Sequence, residues 1–262
     1  MPKRFFIGTS GWNYSHWKGV FYPEDLSSSK WLGYYAGSFN AVELNVTFYR
    51  MVRGPTFENW YMRTPKGFYF VVKGSRFITH IKRLQGARSS LKLLLDNAGA
   101  LKEKLAAVLW QLPPNFKKDL KTLESFCKLL QNAGIRQAFE FRNESWFDEG
   151  TYNVLKEYNC CLCIAHSGRR YPCVKEITAD FLYLRFHGGE SLYASDYPVG
   201  ELKAWADFAR GSKPADIFAF FNNDAYGYAL DNARKFREFF LGKKAVSHFC
   251  DSSAPGSPPK IP

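Results

Sequence analysis

Short apolar runs, five to seven residues long, recur along almost the whole chain. Each is rich in β-branched or aromatic residues, a composition typical of buried β-strands. Eight runs fit this description, at positions 5–10, 41–46, 68–73, 106–112, 138–142, 160–165, 182–187 and 217–222. The pattern therefore predicts eight strands.

The segments between these runs have helical periodicity. In 122–133, the side chains of Leu123, Phe126 and Leu130 fall on one helix face, and Gly134 follows as a stop signal. Segment 166–180 has no helical signal. Similar helical patterns occur at 31–39, 55–63, 89–104, 148–158, 201–210 and 224–241.

Strands that are apolar on both faces and separated by helices favour parallel pairing, because a parallel crossover needs about a dozen residues. Eight such units predict an α/β fold, a single (β/α)8 TIM-type barrel with parallel strands. An open doubly wound sheet is the alternative, but no G-x-G-x-x-G turn follows the first strand. We assign residues 1–245 to the barrel domain and expect the Pro/Ser-rich tail, residues 246–262, to be disordered.

The 262 residues carry a formal charge of +12, from 36 Lys and Arg against 24 Asp and Glu. Residues 1–100 hold 14 of the basic residues and only 5 of the acidic ones, and no acidic residue lies between Asn59 and Leu95. A basic stretch of this kind attracts phosphates, nucleic acid or a small anion, or forms a solvated face that keeps the protein in solution. With 46% hydrophobic residues, the composition excludes a disordered or collagen-like chain.

The N-terminal apolar segment is too short for a signal peptide, and no apolar run is long enough for a membrane helix. We therefore expect a cytoplasmic protein with no membrane partner. Three of the six cysteines lie in one apolar run, at 160, 161 and 163, which indicates buried thiols in a reducing compartment rather than a zinc site. The sequence leaves the oligomeric state open.

Charged and amide side chains interrupt the runs near their C-terminal ends, where TIM-type barrels carry their sites. Three runs hold a pair in i, i+2 register, which directs both side chains to one face. The pairs are Glu43 with Asn45, Glu140 with Arg142, and Arg185 with His187, and single polar residues end other runs at Lys73, Gln111, Asn222 and Asn223. Burial of these charges is costly unless they pair or meet a ligand, so we predict one site at the barrel mouth. An internal ion-pair lattice, for instance Glu140 with Arg142 or Arg185, is the alternative.

The residue types in this cluster suggest roles. Glu43 or Glu140 would transfer protons as general acid or base, and His187 would assist. Lys73 and the two arginines would hold a carboxylate or phosphate. We predict no cofactor; a divalent metal held by the two carboxylates and His187 stays an alternative that the nearby cations oppose.

Aromatic residues crowd the turn after the first run. The crowded positions are Trp12, Tyr14, His16, Trp17, Phe21 and Tyr22. Exposed rings above a barrel mouth would stack on a sugar or base, or would exclude water, and a hydrophobic plug is the alternative. His80, in the basic stretch, would extend the site from the third βα loop.

Seven motifs occur in order along the chain: GTSGWNYSHWKGVFYP, FNAVELNVTFYR, GFYFVVKGSRFITHIKRL, LWQLPPNF, FEFRNESWF, YLRFHG and FFNND. Together they resemble the domain-of-unknown-function 72, or YecE-like, family over residues 5–240. The resemblance implies a TIM-type barrel and no established reaction. Carried over by position, the family pattern falls on Trp12, Tyr14, Trp17, Glu43, Tyr49, Lys73, Thr79, His80, Gln111, Glu140, Arg142, Trp146, Arg185, His187, Gly188 and Asn222. Besides the catalytic candidates Glu43, Glu140 and His187, we expect substrate binding by Trp12, Tyr14, Trp17, Tyr49, Lys73, His80, Gln111, Arg142, Trp146, Arg185 and Asn222. Asn143 departs from the pattern, because members often have histidine there, and this puts in doubt a mechanism that needs that histidine.

Two functions fit these observations. One is an enzyme-like barrel whose mouth binds an anionic ligand, a phosphorylated sugar or nucleotide, with hydrolysis, isomerisation and lyase chemistry all left open. The other is a non-catalytic nucleic-acid-binding protein that uses the basic stretch 59–95 on phosphates and loop aromatics on bases. The second function predicts binding that weakens steeply as salt rises.

Overall fold

The computed structural model describes residues 3–242, so the predicted tail, 246–262, lies outside the described residues. Eight parallel strands and the helices between them form a nearly closed (β/α)8 barrel, which confirms the predicted fold class. The strands are β1 Arg4–Thr9, β2 Ala41–Leu44, β3 Tyr69–Lys73, β4 Leu105–Gln111, β5 Arg136–Glu140, β6 Cys161–His166, β7 Phe181–Phe186 and β8 Asp216–Phe221. Every strand end lies within two residues of its predicted position.

Helices cover the outside of the barrel. They are α1 Trp31–Ser38, α2 Val46–Tyr49, α3 Gly54–Met62, α4 Arg88–Ala98, α5 Leu120–Leu130, α6 Glu149–Glu157, α7 Val199–Gly211 and α8 Tyr228–Leu241. Short 3₁₀ or π segments lie at Ser15–Trp17, Ser28–Lys30, Phe77–Ile81, Gly99–Lys104, Gln131–Ala133 and Glu144–Trp146. None of the helices in the described part of the chain combines the length and apolarity needed to cross a membrane.

Two predicted helix boundaries are wrong, and a residue with positive φ lies within each predicted segment. The pattern over 89–104 predicts one helix, but α4 ends at Ala98, and the 3₁₀ segment that follows is broken at Lys102, where φ is 49°. The pattern over 224–241 begins too early, since Gly227 has φ 79° and α8 starts only after it. Hydrophobic periodicity continues through both breaks and therefore does not detect them.

Side chains close the barrel between β1 and β2, whereas backbone ladders join the other neighbouring strands. The Asn40 amide accepts a hydrogen bond from a β1 N–H at 3.0 Å and donates to a β1 carbonyl at 2.6 Å. The Tyr35 hydroxyl accepts from another β1 N–H at 2.8 Å and donates to the Ala41 carbonyl at 3.1 Å. Glycine is needed at position 8, because a Cβ there would lie 2.0 Å from the Ala41 carbonyl oxygen.

The barrel interior combines small and large side chains on opposite sides. β4, β5 and β6 contribute alanines and the cysteines Cys161 and Cys163, whereas β1, β7 and β8 contribute aromatic rings. Phe6 stacks on Phe218 with ring centroids 4.3 Å apart. This complementarity fills the interior with side chains. Burial raises the pKa of both cysteine thiols, so these two cysteines pack rather than react.

A charged cluster lies at the N-terminal end of the barrel. The buried carboxylate of Asp216 accepts a hydrogen bond from Arg4 Nε at 2.7 Å and another from Arg136. The two arginine side chains are 64% and 32% exposed, so water solvates much of their charge. Lys3 Nζ donates to the carbonyl oxygen of Pro214 at 2.8 Å. In barrels of this class, this end serves stability rather than chemistry.

Candidate functional site

Arg185, near the C-terminal end of β7, joins two carboxylates inside the barrel mouth. Its Nη2 donates to Glu43 Oε1 at 2.6 Å, and its Nη1 donates to Glu140 Oε2. All three side chains are completely buried. Arg185 Nε is a buried donor with no hydrogen-bond partner among the described residues. The ion-pair lattice considered from the sequence therefore exists, with Arg185 at its centre.

Hydroxyl groups complete the surroundings of Glu43. Ser10 Oγ donates to Oε1 and Tyr183 Oη donates to Oε2, both at 2.7 Å. Burial is the largest single effect and acts to raise the pKa of each carboxyl group, but Arg185, the other nearby cations and the hydrogen-bond donors together outweigh it. The pKa of Glu43 is lowered, and that of Glu140 falls well below its usual range. Both groups are thus ionised near neutral pH and hold no proton to donate.

Arg142 follows β5 and lies on the outer side of this lattice. Its Nε donates to Glu140 Oε1 at 2.8 Å. Its two terminal nitrogens reach only tyrosine hydroxyls, Tyr171 at 3.5 Å and Tyr193 at 3.4 Å, and the guanidinium lies 4.5 Å from the centroid of the Tyr171 ring. Contacts of this length are weak, because good hydrogen bonds of this type are near 2.9 Å. Two donors of Arg142 are therefore available for stronger acceptors.

His187 is neutral at the bottom of the mouth. Burial, and then the Arg185 guanidinium, lowers the pKa of His187 to about 4. Asn222 Nδ2 lies 3.2 Å from His187 Nδ1, and His187 Nε2 lies 3.6 Å from Glu140 Oε1. An amide that donates to Nδ1 leaves the ring proton on Nε2, directed at the carboxylate.

Lys73, the last residue of β3, differs from the other cations of the mouth. Its side chain is almost wholly buried, and its Nζ lies 4.3 Å from the centroid of the Phe48 ring. No hydrogen-bond acceptor contacts this nitrogen among residues 3–242. Burial, and then the Arg185 guanidinium, lowers the pKa of Lys73 to about 7, although Glu140 and Glu43 act in the opposite direction.

His80 lies beside this lysine. Its ring packs edge-on against Phe48 with centroids 5.0 Å apart, and its Nδ1 lies 2.9 Å from Thr79 Oγ1. Burial, and then Lys73, lowers the pKa of His80 to about 4. The third βα loop therefore contributes a neutral imidazole to the mouth.

The charges of the lattice balance without Lys73. Glu43 and Glu140 are matched by Arg185 and Arg142, so a protonated Lys73 adds one positive charge that no carboxylate of the lattice neutralises by direct contact. Burial without a partner is the least favourable situation for an ammonium group. Binding of an anionic group at the mouth, or loss of the Lys73 proton, is therefore favourable.

Two tryptophans predicted to bind substrate lie in the hydrophobic core instead. Trp17 is fully buried, and its Nε1 donates to Asp224 Oδ1 at 2.9 Å. Trp146 is also fully buried; it stacks on Phe141 at 4.7 Å and donates to the Phe116 carbonyl at 2.7 Å. Neither ring offers a face to a ligand in this structure, because core side chains enclose both.

The remaining predicted residues lie around the mouth with different exposure. Tyr49 is 77% exposed. Trp12 and Tyr14 are partly buried, and the Tyr14 hydroxyl donates at 2.6 Å to the carbonyl of Ser10, a neighbour of Glu43. Gln111 is buried at the end of β4, where its Nε2 donates to a backbone carbonyl at 3.3 Å.

Asp224 is a mouth residue that sequence reasoning missed. Besides Trp17, its carboxylate contacts His16 Nε2 at 3.0 Å, and burial raises the pKa of Asp224 to about 6. Asp224 directly follows Asn222 and Asn223 at the end of the last predicted strand, and this position could have identified it as a mouth residue.

Three tyrosines were missed as well. Tyr183 lies two residues before Arg185, so strand alternation places it on the same inner face and could have identified it. Tyr171 and Tyr193 lie in loops without periodicity, where the sequence carries no such signal.

The described residues contain no candidate metal cluster, and a separate cavity lies away from the mouth. Over residues 3–242, no group of three or more His, Cys, Asp or Glu side chains could hold a metal ion. A cavity of about 530 Å³ opens elsewhere, lined by Ala106, Arg136 and Cys160 among others. These residues lie near the N-terminal ends of β4, β5 and β6, and none of the predicted site residues lines the cavity.

Fold and site together define a (β/α)8 barrel with a buried carboxylate–guanidinium lattice at its C-terminal mouth. The family described as "Protein of unknown function DUF72" matches residues 6–256, and the chain belongs to this family. The resemblance noted in the motifs is thereby confirmed.

Relatives agree with this assignment. The chain is 29% identical to the UPF0759 protein YunF of Bacillus subtilis over 270 residues, which cover 89% of this chain and 93% of that protein. A DUF72 family protein from Thermotoga maritima has a TM-score of 0.80 and 29% identity over 91% of this chain and 100% of its own. D-Psicose 3-epimerase from Clostridium cellulolyticum has a TM-score of 0.52 at 11% identity, over 91% of this chain and 98% of its own, and shares the fold alone.

Proposed function

We propose that this protein is an enzyme-like barrel that binds a small anionic ligand, a phosphorylated sugar or nucleotide, at the C-terminal mouth of its strands. The observation that carries the proposal is Arg142. One of its nitrogens is fixed by Glu140, and its two terminal nitrogens have only long contacts to tyrosine hydroxyls. A guanidinium held in this way presents a planar fork that matches a phosphate or carboxylate.

The charge of the mouth supports the same ligand class. A ligand oxyanion would supply the acceptor that Lys73 lacks and would favour its protonated form. Arg185 plays a different part, because Glu43 and Glu140 already occupy its terminal nitrogens. It holds the two carboxylates in place rather than clamping the ligand.

The residues predicted to be catalytic acquire definite roles under this proposal. Glu43 and Glu140 stay ionised and stabilise positive charge that develops in a bound substrate. His187 stays neutral beside Glu140, with its Nε2 3.6 Å from Oε1 and 3.5 Å from Arg185 Nη1. Proton transfer to the substrate then falls to a group that exchanges its proton near neutral pH, and Lys73 is that group.

Nucleic-acid binding is a second candidate, favoured by one observation on the loop after β3. Phe77 is 44% exposed and Ile81 is 64% exposed there, between the exposed cations Arg76, Lys82 and Arg83. Apolar and basic groups on one loop suit stacked bases and phosphates.

Calorimetric titration separates the two candidates. We expect ribose 5-phosphate or adenosine monophosphate to bind, and ribose or adenosine not to bind. Arg142→Gln should weaken phosphate-ester binding about tenfold to a hundredfold, the loss of one or two charge-assisted hydrogen bonds. Arg83→Gln, a charge-matched control outside the mouth, should leave it unchanged. Oligonucleotide binding that falls with Arg83→Gln and with salt, without any phosphate-ester binding, would establish the second candidate instead.

A cytoplasmic location is part of the proposal. Phosphorylated metabolites are found there, and the five cysteines of the described residues are free thiols, as a reducing compartment keeps them.

A further inference from the structure

Lys73 is the most unusual titratable side chain of the mouth. It is 7% exposed, yet no acceptor reaches its Nζ within the described chain, and an aromatic ring packs against it. Lys104 is a second buried lysine, 5% exposed, and provides the contrast. Its Nζ donates to the Tyr61 carbonyl at 2.7 Å and to the Thr64 carbonyl at 2.6 Å. Acceptors therefore hold the Lys104 ammonium, whereas the Lys73 Nζ, which is not among the fully buried atoms, opens onto the mouth without an acceptor from the described residues.

An uncompensated buried lysine favours its neutral amine, and a neutral amine is a nucleophile. Desolvation and neighbouring cations are the two environments that activate lysines in this way. Lys73 has both, since the Arg185 and Arg142 guanidiniums act on it and its pKa is lowered to about 7. Near pH 7 about half of the Lys73 side chains are unprotonated, against about one in three thousand for a lysine at the usual value of about 10.4.

We propose that Lys73 is a covalent site that forms an imine with the carbonyl group of a small phosphorylated aldehyde or ketone. This step rests on the proposed function, because Arg142 would bind the phosphate of the same molecule. The Nζ lone pair attacks the carbonyl carbon, a C–N bond forms, and a carbinolamine results. Both Nζ protons finally reside on the carbonyl oxygen, which leaves as water as the C=N bond forms.

The lattice beneath Lys73 suits the product of this reaction. The neutral imine formed in this way takes one proton from solvent on its nitrogen, and the resulting cation carries a positive charge where the free amine was neutral. Glu43 and Glu140 are ionised and act electrostatically on Lys73. They stabilise the cationic imine more than the neutral amine. This difference in stabilisation favours formation of the imine.

Trapping with borohydride tests the proposal. The full chain is incubated at pH 7 with pyridoxal 5′-phosphate, an aldehyde that carries a phosphate, and the imine is reduced by hydride transfer to its carbon. Peptide mass mapping should find the secondary amine on Lys73, labelled at least about tenfold faster than Lys104 or the exposed Lys66. Lys73→Met and Lys73→Arg should lack this label while both variants keep the melting transition of a folded protein.

The pH dependence of labelling and a second probe distinguish failure of the imine proposal from failure of the proposed anion site. Labelling of Lys73 should rise as pH passes through about 7 and then level off, whereas exposed lysines label faster up to about pH 10. Labelling of Lys73 no faster than Lys66, or with the same pH profile, would overturn the imine proposal. Pyridoxal, which lacks the phosphate, should label Lys73 more slowly, and Arg142→Gln should abolish the advantage of the phosphate. Equal labelling by both probes would overturn the proposed anion site and leave the imine proposal intact.

Discussion

The two ends of the barrel both carry charged clusters, but they deal with their charge differently. At the N-terminal end, Asp216 pairs with Arg4 and Arg136, and both arginines keep exposed surface. At the C-terminal mouth, Glu43, Glu140 and Arg185 have no exposed surface. Water therefore screens and solvates the first cluster, whereas the second depends entirely on its protein partners.

The difference shows which end is built for chemistry. Excess positive charge at the N-terminal end costs little, because solvent compensates it. At the mouth, an unneutralised ammonium or carboxylate changes its pKa by several units or requires a ligand. The lowered pKa of Lys73 therefore points to a site at the mouth. The exposed cations Arg4 and Arg136 at the N-terminal end give no such indication.

Arg185→Met should give the largest effect, because it leaves two buried carboxylates without their shared partner. We expect a loss of about 5 kcal/mol or more in the free energy of unfolding.

The pH dependence of the stability should also reverse in Arg185→Met. In the wild type the depressed pKa values of the two carboxyl groups stabilise the fold above about pH 4, and this stability is lost as pH falls. In the variant, burial raises those pKa values, and stability should increase as pH falls. Urea unfolding between pH 4 and 8 measures both. A variant as stable as the wild type at pH 7 would show that the two buried carboxylates do not depend on Arg185.

Lys73→Met should act in the opposite direction and stabilise the protein. Lowering the pKa of Lys73 from 10.5 to about 7 means that the folded state resists its proton, at a cost of up to roughly 5 kcal/mol below pH 7. We expect a gain of about 3 kcal/mol at pH 6, since methionine will not pack perfectly, and the gain should shrink as pH rises from 7 towards 10. Lys104→Met is the matched control and should cost about 1–3 kcal/mol, because it removes the Nζ donor from the buried Thr64 carbonyl. Two lysine variants that both destabilise would contradict the distinction between them.

Arg4→Gln should have the smallest effect. Its side chain is 64% exposed, so its ion pair with Asp216 contributes no more than about 1 kcal/mol, and Arg136 still contacts the carboxylate. Thermal unfolding at low and at high salt checks this, and the small difference should vanish at high salt. A loss comparable to that of Arg185→Met would show that the two ends do not differ as described.

Prediction from the sequence succeeded where the signal is local. The i, i+2 register of Glu43, Glu140 and Arg185 with their strand neighbours was enough to place all three on the inner face of the barrel. Their mutual pairing was considered only as an alternative, since it joins strands that lie far apart along the chain. Trp17 and Trp146 were assigned to substrate because a tryptophan in a loop motif has no local feature that distinguishes a stacking surface from a core residue.

The sequence by itself determined eight strands, their parallel arrangement and the end of the barrel at which polar side chains gather, because strand alternation and helix periodicity are properties of short segments. Only the tertiary structure decided that two carboxylates occupy the terminal nitrogens of Arg185, that those of Arg142 make only long contacts to tyrosine hydroxyls, and that no acceptor within residues 3–242 reaches the Lys73 Nζ. Those outcomes depend on which strands become neighbours when the barrel closes, and on how much water the closed mouth excludes. Lys73, one of the basic residues of the first hundred, thus owes its lowered pKa to burial and to two arginines from later in the chain, an environment that forms only when the chain folds.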